Sequence, residues 1–183
     1  MFDPIRYHGK SIRLKGWDYT QTGAYFVTIC THEREPLFGR VLHGKMVLNA
    51  FGRIAWEEWF RTARIRPNVE LFEDEFVVMP DHVHGIVWIV GDENVDAQRR
   101  CASTKPGGVT PNNVAPGSLG AIVRAFKSMV TKRINEHRRT PGARVWQRNY
   151  YEHIIRSDRA LNAIRRYIMN NPMRWQFDRY NTR

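Results

Sequence analysis

His82 and His84 stand two residues apart in the run Met79-Pro-Asp-His-Val-His-Gly-Ile-Val-Trp-Ile89. A run this rich in valine, isoleucine and tryptophan reads as a buried strand. Alternate strand side chains point the same way, so both imidazoles share one face. Their α-carbons would lie about 7 Å apart, close enough to grip one metal ion. Two polar rings in an apolar strand need a reason, because burial without partners is costly. A second pair, Tyr167 and Asn171, lies in Tyr167-Ile-Met-Asn-Asn-Pro172. Four residues apart on a helix, they share one face with β-carbons about 5–6 Å apart. A phenol can attack phosphorus and hold the product as a phosphotyrosine. A cation can polarise the phosphate under attack. Two imidazoles, an amide oxygen and open positions suit Mg²⁺ or Mn²⁺ when phosphate and water complete the shell, and Zn²⁺ or Ni²⁺ could bind adventitiously. The competing reading makes each of these residues an ordinary core side chain.

The charge distribution weighs against that competing reading. Residues 1–116 hold 14 Lys and Arg against 14 Asp and Glu, whereas residues 117–183 hold 15 against 4. The whole net charge of +11 therefore sits in the last third. Such asymmetry points to a polyanion, most simply a nucleic acid. Arg124, Lys127, Lys132, Arg148 and Arg156 are the candidate phosphate contacts, persuasive as a cluster rather than singly. Tyr150 and Tyr151 follow Trp146-Gln-Arg148 and read as structural or DNA-contacting, able to stack on bases. Cys30 and Cys101 are far apart with no CxxC partner, which suggests a reducing compartment. With no signal-like start and no run of membrane-spanning length, a cytoplasmic location is expected.

These residues need elements to position them. Ala24–Thr31 has strand character, and Leu37–Leu42 with Lys45–Leu48 around His43-Gly44 predicts a hairpin. Asn49 should cap a helix over Ala50–Arg64 that ends before Pro67. Val69–Val78 and His82–Val90 read as two strands. Ser118 should cap a helix whose apolar positions recur from Leu119 to Ile134, and Ser157 a last helix that Pro172 stops. Val145–Ile155 reads as either strand or irregular chain. The order of elements predicts an α+β fold, a ferredoxin-like (RRM-like) sandwich with an antiparallel sheet and helices mainly on one face. The RNP1 aromatic signature of a true RRM is not evident. The expected organisation is an N-terminal arm over 1–20, one domain over 21–175 with a flexible loop at 91–117, and a tail over 176–183.

Four blocks together resemble the REP-associated tyrosine transposases, a branch of the IS200-like single-tyrosine HUH endonucleases. They are Tyr25-Phe-Val-Thr-Ile-Cys-Thr-His32, the histidine run, Leu119-Gly-Ala-Ile-Val-Arg-Ala-Phe-Lys-Ser128, and Trp146–Arg156 followed by Tyr167–Pro172. In order they cover about residues 20–175. The resemblance implies a ferredoxin-like core and cleavage of single-stranded DNA near hairpins, such as REP-like palindromes, through a covalent 5′-phosphotyrosine. By position, His82 and His84 match the metal-binding histidines and Tyr167 the nucleophile. Asn171 falls where insertion-sequence relatives use a glutamine as third ligand.

The expected function is thus a Mg²⁺- or Mn²⁺-dependent single-strand DNA endonuclease and strand transferase. One alternative is a non-catalytic DNA- or RNA-binding regulator on the same fold, which would not need Tyr167. Another is a metal-dependent RNA nuclease that uses water and survives Tyr167→Phe. The sequence leaves monomer and homodimer open.

Overall fold

The computed structural model describes residue 14 and residues 16–91 and 114–175. The elements run β1 (Gly23–Cys30), β2 (Gly39–Leu42), β3 (Lys45–Leu48), α1 (Ala50–Ile65), β4 (Val69–Glu70), β5 (Phe76–Val78), β6 (His82–Ile89), α2 (Leu119–Arg138), β7 (Tyr151–Ile155) and α3 (Asp158–Arg174). The main sheet is antiparallel with the order β4-β6-β1-β7, and β5 also pairs with β6. With β4 and β5 taken as one interrupted edge, the chain follows β-α-β-β-α-β, the ferredoxin-like order, with the β2–β3 hairpin inserted after β1.

Strand alternation sorts β1 and β6 into two faces. Tyr25, Val27, Ile29, Val83, Val87 and Ile89 face α1 and α2 in the larger core. There Trp59 of α1 stacks on Phe76 at 4.4 Å, with Phe126 of α2 edge-on at 5.3 Å. A β-carbon on Gly85 would come within 2.4 Å of Trp59 Cζ2. The glycine after the histidine pair is therefore demanded by packing on the reverse of the sheet. On the opposite face Ala24, Phe26 and Ile86 pack against Leu161, Ile164 and Ile168 of α3. Two helices cover one face and α3 alone crosses the other.

The helix starts agree with the capping residues in the sequence. Asn49 Oδ1 accepts from Phe51 N and Gly52 N, Ser118 Oγ from Ala121 N, and Ser157 Oγ from Ala160 N. Two expectations are revised and one open reading is decided. Val69–Val78 is not one strand: a 3₁₀ turn over Glu73–Glu75 interrupts it. Pro172 does not stop α3, which continues to Arg174; in the last turn a proline removes only a single helical hydrogen bond. Within Val145–Ile155, only Tyr151–Ile155 is strand, while Trp146 makes an isolated bridge to Thr31. Ahead of β1, Tyr19 is buried against Tyr25, and its carbonyl accepts from Leu119 N. Residues 1–13 of the arm, 92–113 of the expected loop, Cys101 and the tail lie outside the described residues. No described helix is long and apolar enough to cross a membrane.

The interruption before β5 turns Glu75 inward. Its carboxylate is fully buried and accepts from Trp88 Nε1 at 2.6 Å and from Arg165 Nε of α3 at 2.8 Å. This ties α3 to the edge of the sheet. Glu75→Ala should orphan the indole N–H and lose the ion pair, destabilising the fold by about 2–3 kcal/mol. Arg165 can still reach water, which holds the loss to that range. Urea denaturation of the variant measures it; a change below about 0.5 kcal/mol would contradict the anchoring role.

Candidate active site

β1 and β6 pair with Thr28 opposite His84 and Cys30 opposite His82. Both histidines are buried, at 1% and 0% exposure, on the face that α3 covers. Their Nε2 atoms approach to 2.9 Å. Each ring is steered from its other nitrogen. Asp81 Oδ1 lies 2.5 Å from His82 Nδ1, and Thr28 Oγ1 lies 2.8 Å from His84 Nδ1. A carboxylate only accepts, so His82 Nδ1 carries a hydrogen and the ring is turned with Nε2 toward His84. Asp81 Oδ2 in turn accepts from Arg34 Nε at 2.8 Å, and Arg34 Nη1 reaches Cys30 Sγ at 3.0 Å. Burial first, then the neighbouring His82 and Arg34, hold the His84 pKa well below the ordinary histidine value. His84 is therefore a neutral imidazole.

This donor set fits a divalent cation. Its two imidazole nitrogens converge, each ring fixed by a second hydrogen bond, as metal-binding histidines are. Their 2.9 Å separation matches the span between adjacent ligands of an octahedral ion with bonds of about 2.1 Å. Among the described residues, no group of three or more His, Cys, Asp or Glu could hold a metal. A third protein donor would have to be of another type, as an asparagine amide is.

Helix α3 brings Tyr167 over this pair. Its hydroxyl lies 3.2 Å from His84 Nε2, and its ring stands edge-on to Phe26 at 6.1 Å. Trp175, two turns further along, lies 6.0 Å from the His82 ring. Asn171 sits on the helix between them, one turn after Tyr167. The structure thus brings together His82, His84 and Tyr167, with Asn171 on the stretch of helix that passes over them.

The residues expected to hold DNA are placed elsewhere. Arg124, Lys127 and Lys132 belong to α2, on the reverse of the sheet from the histidines. Lys127 Nζ donates to the carbonyls of Gln147 at 2.6 Å and Arg148 at 3.1 Å, and burial lowers its pKa to about 8. Lys132 is exposed and pairs with Glu136 at 3.9 Å. Arg148 is exposed, Tyr150 packs against the larger core, and the Arg156 guanidinium lies 5.2 Å from the centre of the Trp17 ring. Sequence reasoning missed Thr28, Arg34, Asp81 and Trp175. Asp81 adjoins the histidine run and was readable as its partner; Thr28 and Arg34 reach the site only through the pairing of distant strands.

No known protein-family profile matches the chain. An uncharacterized protein of Haemophilus influenzae is 39% identical over 176 residues, 94% of this chain and 92% of the other. The chain belongs to the family of that Haemophilus influenzae protein. Among solved structures, a REP-associated tyrosine transposase bound to a REP hairpin matches with a TM-score of 0.56 and 19% identity. The match covers 88% of this chain and 73% of that one. The fold is that of a REP-associated tyrosine transposase. Within it, both histidines lie on the central strand β6, paired with β1, and Tyr167 lies on the helix that closes their face.

Proposed function

We propose that this protein is a divalent-metal-dependent endonuclease and strand transferase for single-stranded DNA, acting beside hairpins through a covalent 5′-phosphotyrosine. The observation that carries the reading is the phenol of Tyr167, 3.2 Å from a nitrogen of a converging histidine pair. A nucleophile and a cation-holding pair at one point are what phosphodiester cleavage requires. That the structure of the same fold holds a REP hairpin supports hairpin DNA as the partner.

His82 and His84 would hold Mg²⁺ or Mn²⁺, with Asn171 as the third protein donor. The ion would polarise the phosphate under attack. Tyr167 attacks phosphorus, so a new P–O bond forms to the phenol oxygen and the bond to the 3′ oxygen breaks. The departing 3′ oxygen takes up a proton, and the phenolic proton passes to solvent, since a free tyrosine titrates near about 10. The DNA 5′ end stays on Tyr167. A 3′ hydroxyl can then attack that ester, restoring a phosphodiester and freeing the tyrosine. Asp81 holds the His82 ring with Nε2 pointed inward, and the Glu75–Arg165 pair holds α3 over the site.

The decisive experiment mixes the protein with hairpin DNAs bearing single-stranded flanks and a 3′ label, with Mg²⁺, Mn²⁺ or chelator, and reads denaturing gels. A metal-dependent shifted band whose attached peptide maps to Tyr167 is the expected result. Cleavage without a protein adduct would point to a water nucleophile. Tight, salt-sensitive binding with no cleavage of any hairpin would leave a DNA-binding regulator.

Asp81→Asn should weaken Mn²⁺ binding about 10–100-fold, the usual effect of removing a partner behind a ligand histidine. Calorimetric titration measures it. Unchanged metal affinity would assign Asp81 to the Arg34 ion pair alone.

A further inference from the structure

Beside the histidine pair lies a groove built from three separate pieces of chain. The β2–β3 hairpin supplies Arg40, Val41 and His43, the turn before β6 supplies Pro80, and the end of α3 supplies Pro172 and its C-cap Trp175. Its volume is about 360 Å³, at the small end of ligand-binding pockets, about 300–1,000 Å³. The hairpin turns at His43-Gly44, both with positive φ, the two-residue geometry that suits a twisted hairpin. A β-carbon on Gly44 would lie 3.3 Å from Met173 Cγ, so the turn rests on the end of α3.

Three features indicate the occupant. Among the described residues, no aspartate or glutamate lines the groove. Arg40 is exposed and has no acidic partner among the described residues. Trp175 belongs both to the groove and to the surroundings of His82, 6.0 Å between ring centres. An indole surface and a guanidinium in one cleft suit a nucleotide, whose base stacks and whose phosphate carries charge. A ligand in this groove would lie next to the point where the phosphate is cut.

We infer that the groove receives one unpaired nucleotide of the DNA strand, adjacent to the scissile phosphate. Its base lies against Trp175 and its phosphate toward Arg40 and His43. The β2–β3 hairpin is then a substrate-positioning element rather than a decoration of the fold. This inference rests on the DNA-cleaving function proposed above.

The test uses full-length protein carrying Tyr167→Phe, so that the DNA stays uncut. Hairpin oligonucleotides carry a single 2-aminopurine at each unpaired flanking position in turn, and dye anisotropy reports total binding. Fluorescence should be quenched severalfold at one position. Adding Trp175→Ala should restore that signal and weaken binding about tenfold, whereas Trp175→Phe should retain most of both. Arg40→Ala, at an exposed position, should lower the salt slope of binding by about one. DNA that binds with no position sensitive to Trp175→Ala, in a protein with an unchanged circular dichroism spectrum, overturns the groove assignment. An unchanged salt slope and affinity in Arg40→Ala does the same without touching the core. Failure of every variant, and of the parent, to bind any hairpin overturns the DNA reading itself and this inference with it.

Discussion

Tyr167→Phe is expected to reduce covalent adduct formation by about 10⁴-fold or more while DNA binding stays within a few-fold of the parent. The substitution removes one oxygen, the only atom able to attack phosphorus from that side chain. The ring contacts survive: edge-on to Phe26 at 6.1 Å and beside His84 at 5.0 Å. The hydroxyl's contact is with a histidine nitrogen at 3.2 Å, so stability should change by about 1 kcal/mol or less. Denaturing gels, anisotropy and urea denaturation on one preparation separate these effects. An adduct that persists would move the nucleophile to another side chain on this face. Tyr151 is then the first candidate, because it pairs with Thr28 on β1 and its ring lies 6.2 Å from Phe26. Tyr150 is the weaker one, packed against the larger core on the other side.

Replacing both His82 and His84 with alanine should cut strand cleavage by about 10³-fold or more and abolish stoichiometric Mn²⁺ binding. Both converging nitrogens disappear, leaving Asn171 without a second donor. The charge of Asp81 remains paired with Arg34 at 2.8 Å, so no isolated buried carboxylate is created. Stability should fall by about 1–3 kcal/mol from lost packing and hydrogen bonds. DNA affinity should persist within a few-fold, because phosphate contacts dominate such binding. A folded double variant that still cuts would exclude the histidines from the site. Loss of cleavage with Mn²⁺ binding intact would place the metal elsewhere.

What could be read from the chain alone was local. Strand alternation put His82 and His84 on one face, and helical periodicity put Tyr167 and Asn171 on another. Asn49, Ser118 and Ser157 announced three helix starts, because a cap needs only its own next few amides. The chain alone did not show that Gly85, inside the histidine run, serves Trp59 on the reverse of the sheet.

Only the tertiary structure decided which of these pieces meet. Apolar spacing could show that the last helix has a face to bury, but not which side of the sheet receives it. Burial of Leu161, Ile164 and Ile168 against Phe26 and Ile86 put Tyr167 above the histidines. Thr28 meets His84 across 56 residues of sequence, and Glu75 meets Arg165 across 90. Lys127 looked like a phosphate contact, yet its ammonium turns onto the carbonyls of Gln147 and Arg148. Side-chain type and spacing determined what each element could do and which way it faced. The partners depended on long-range strand pairing and sheet coverage, which no local pattern encodes.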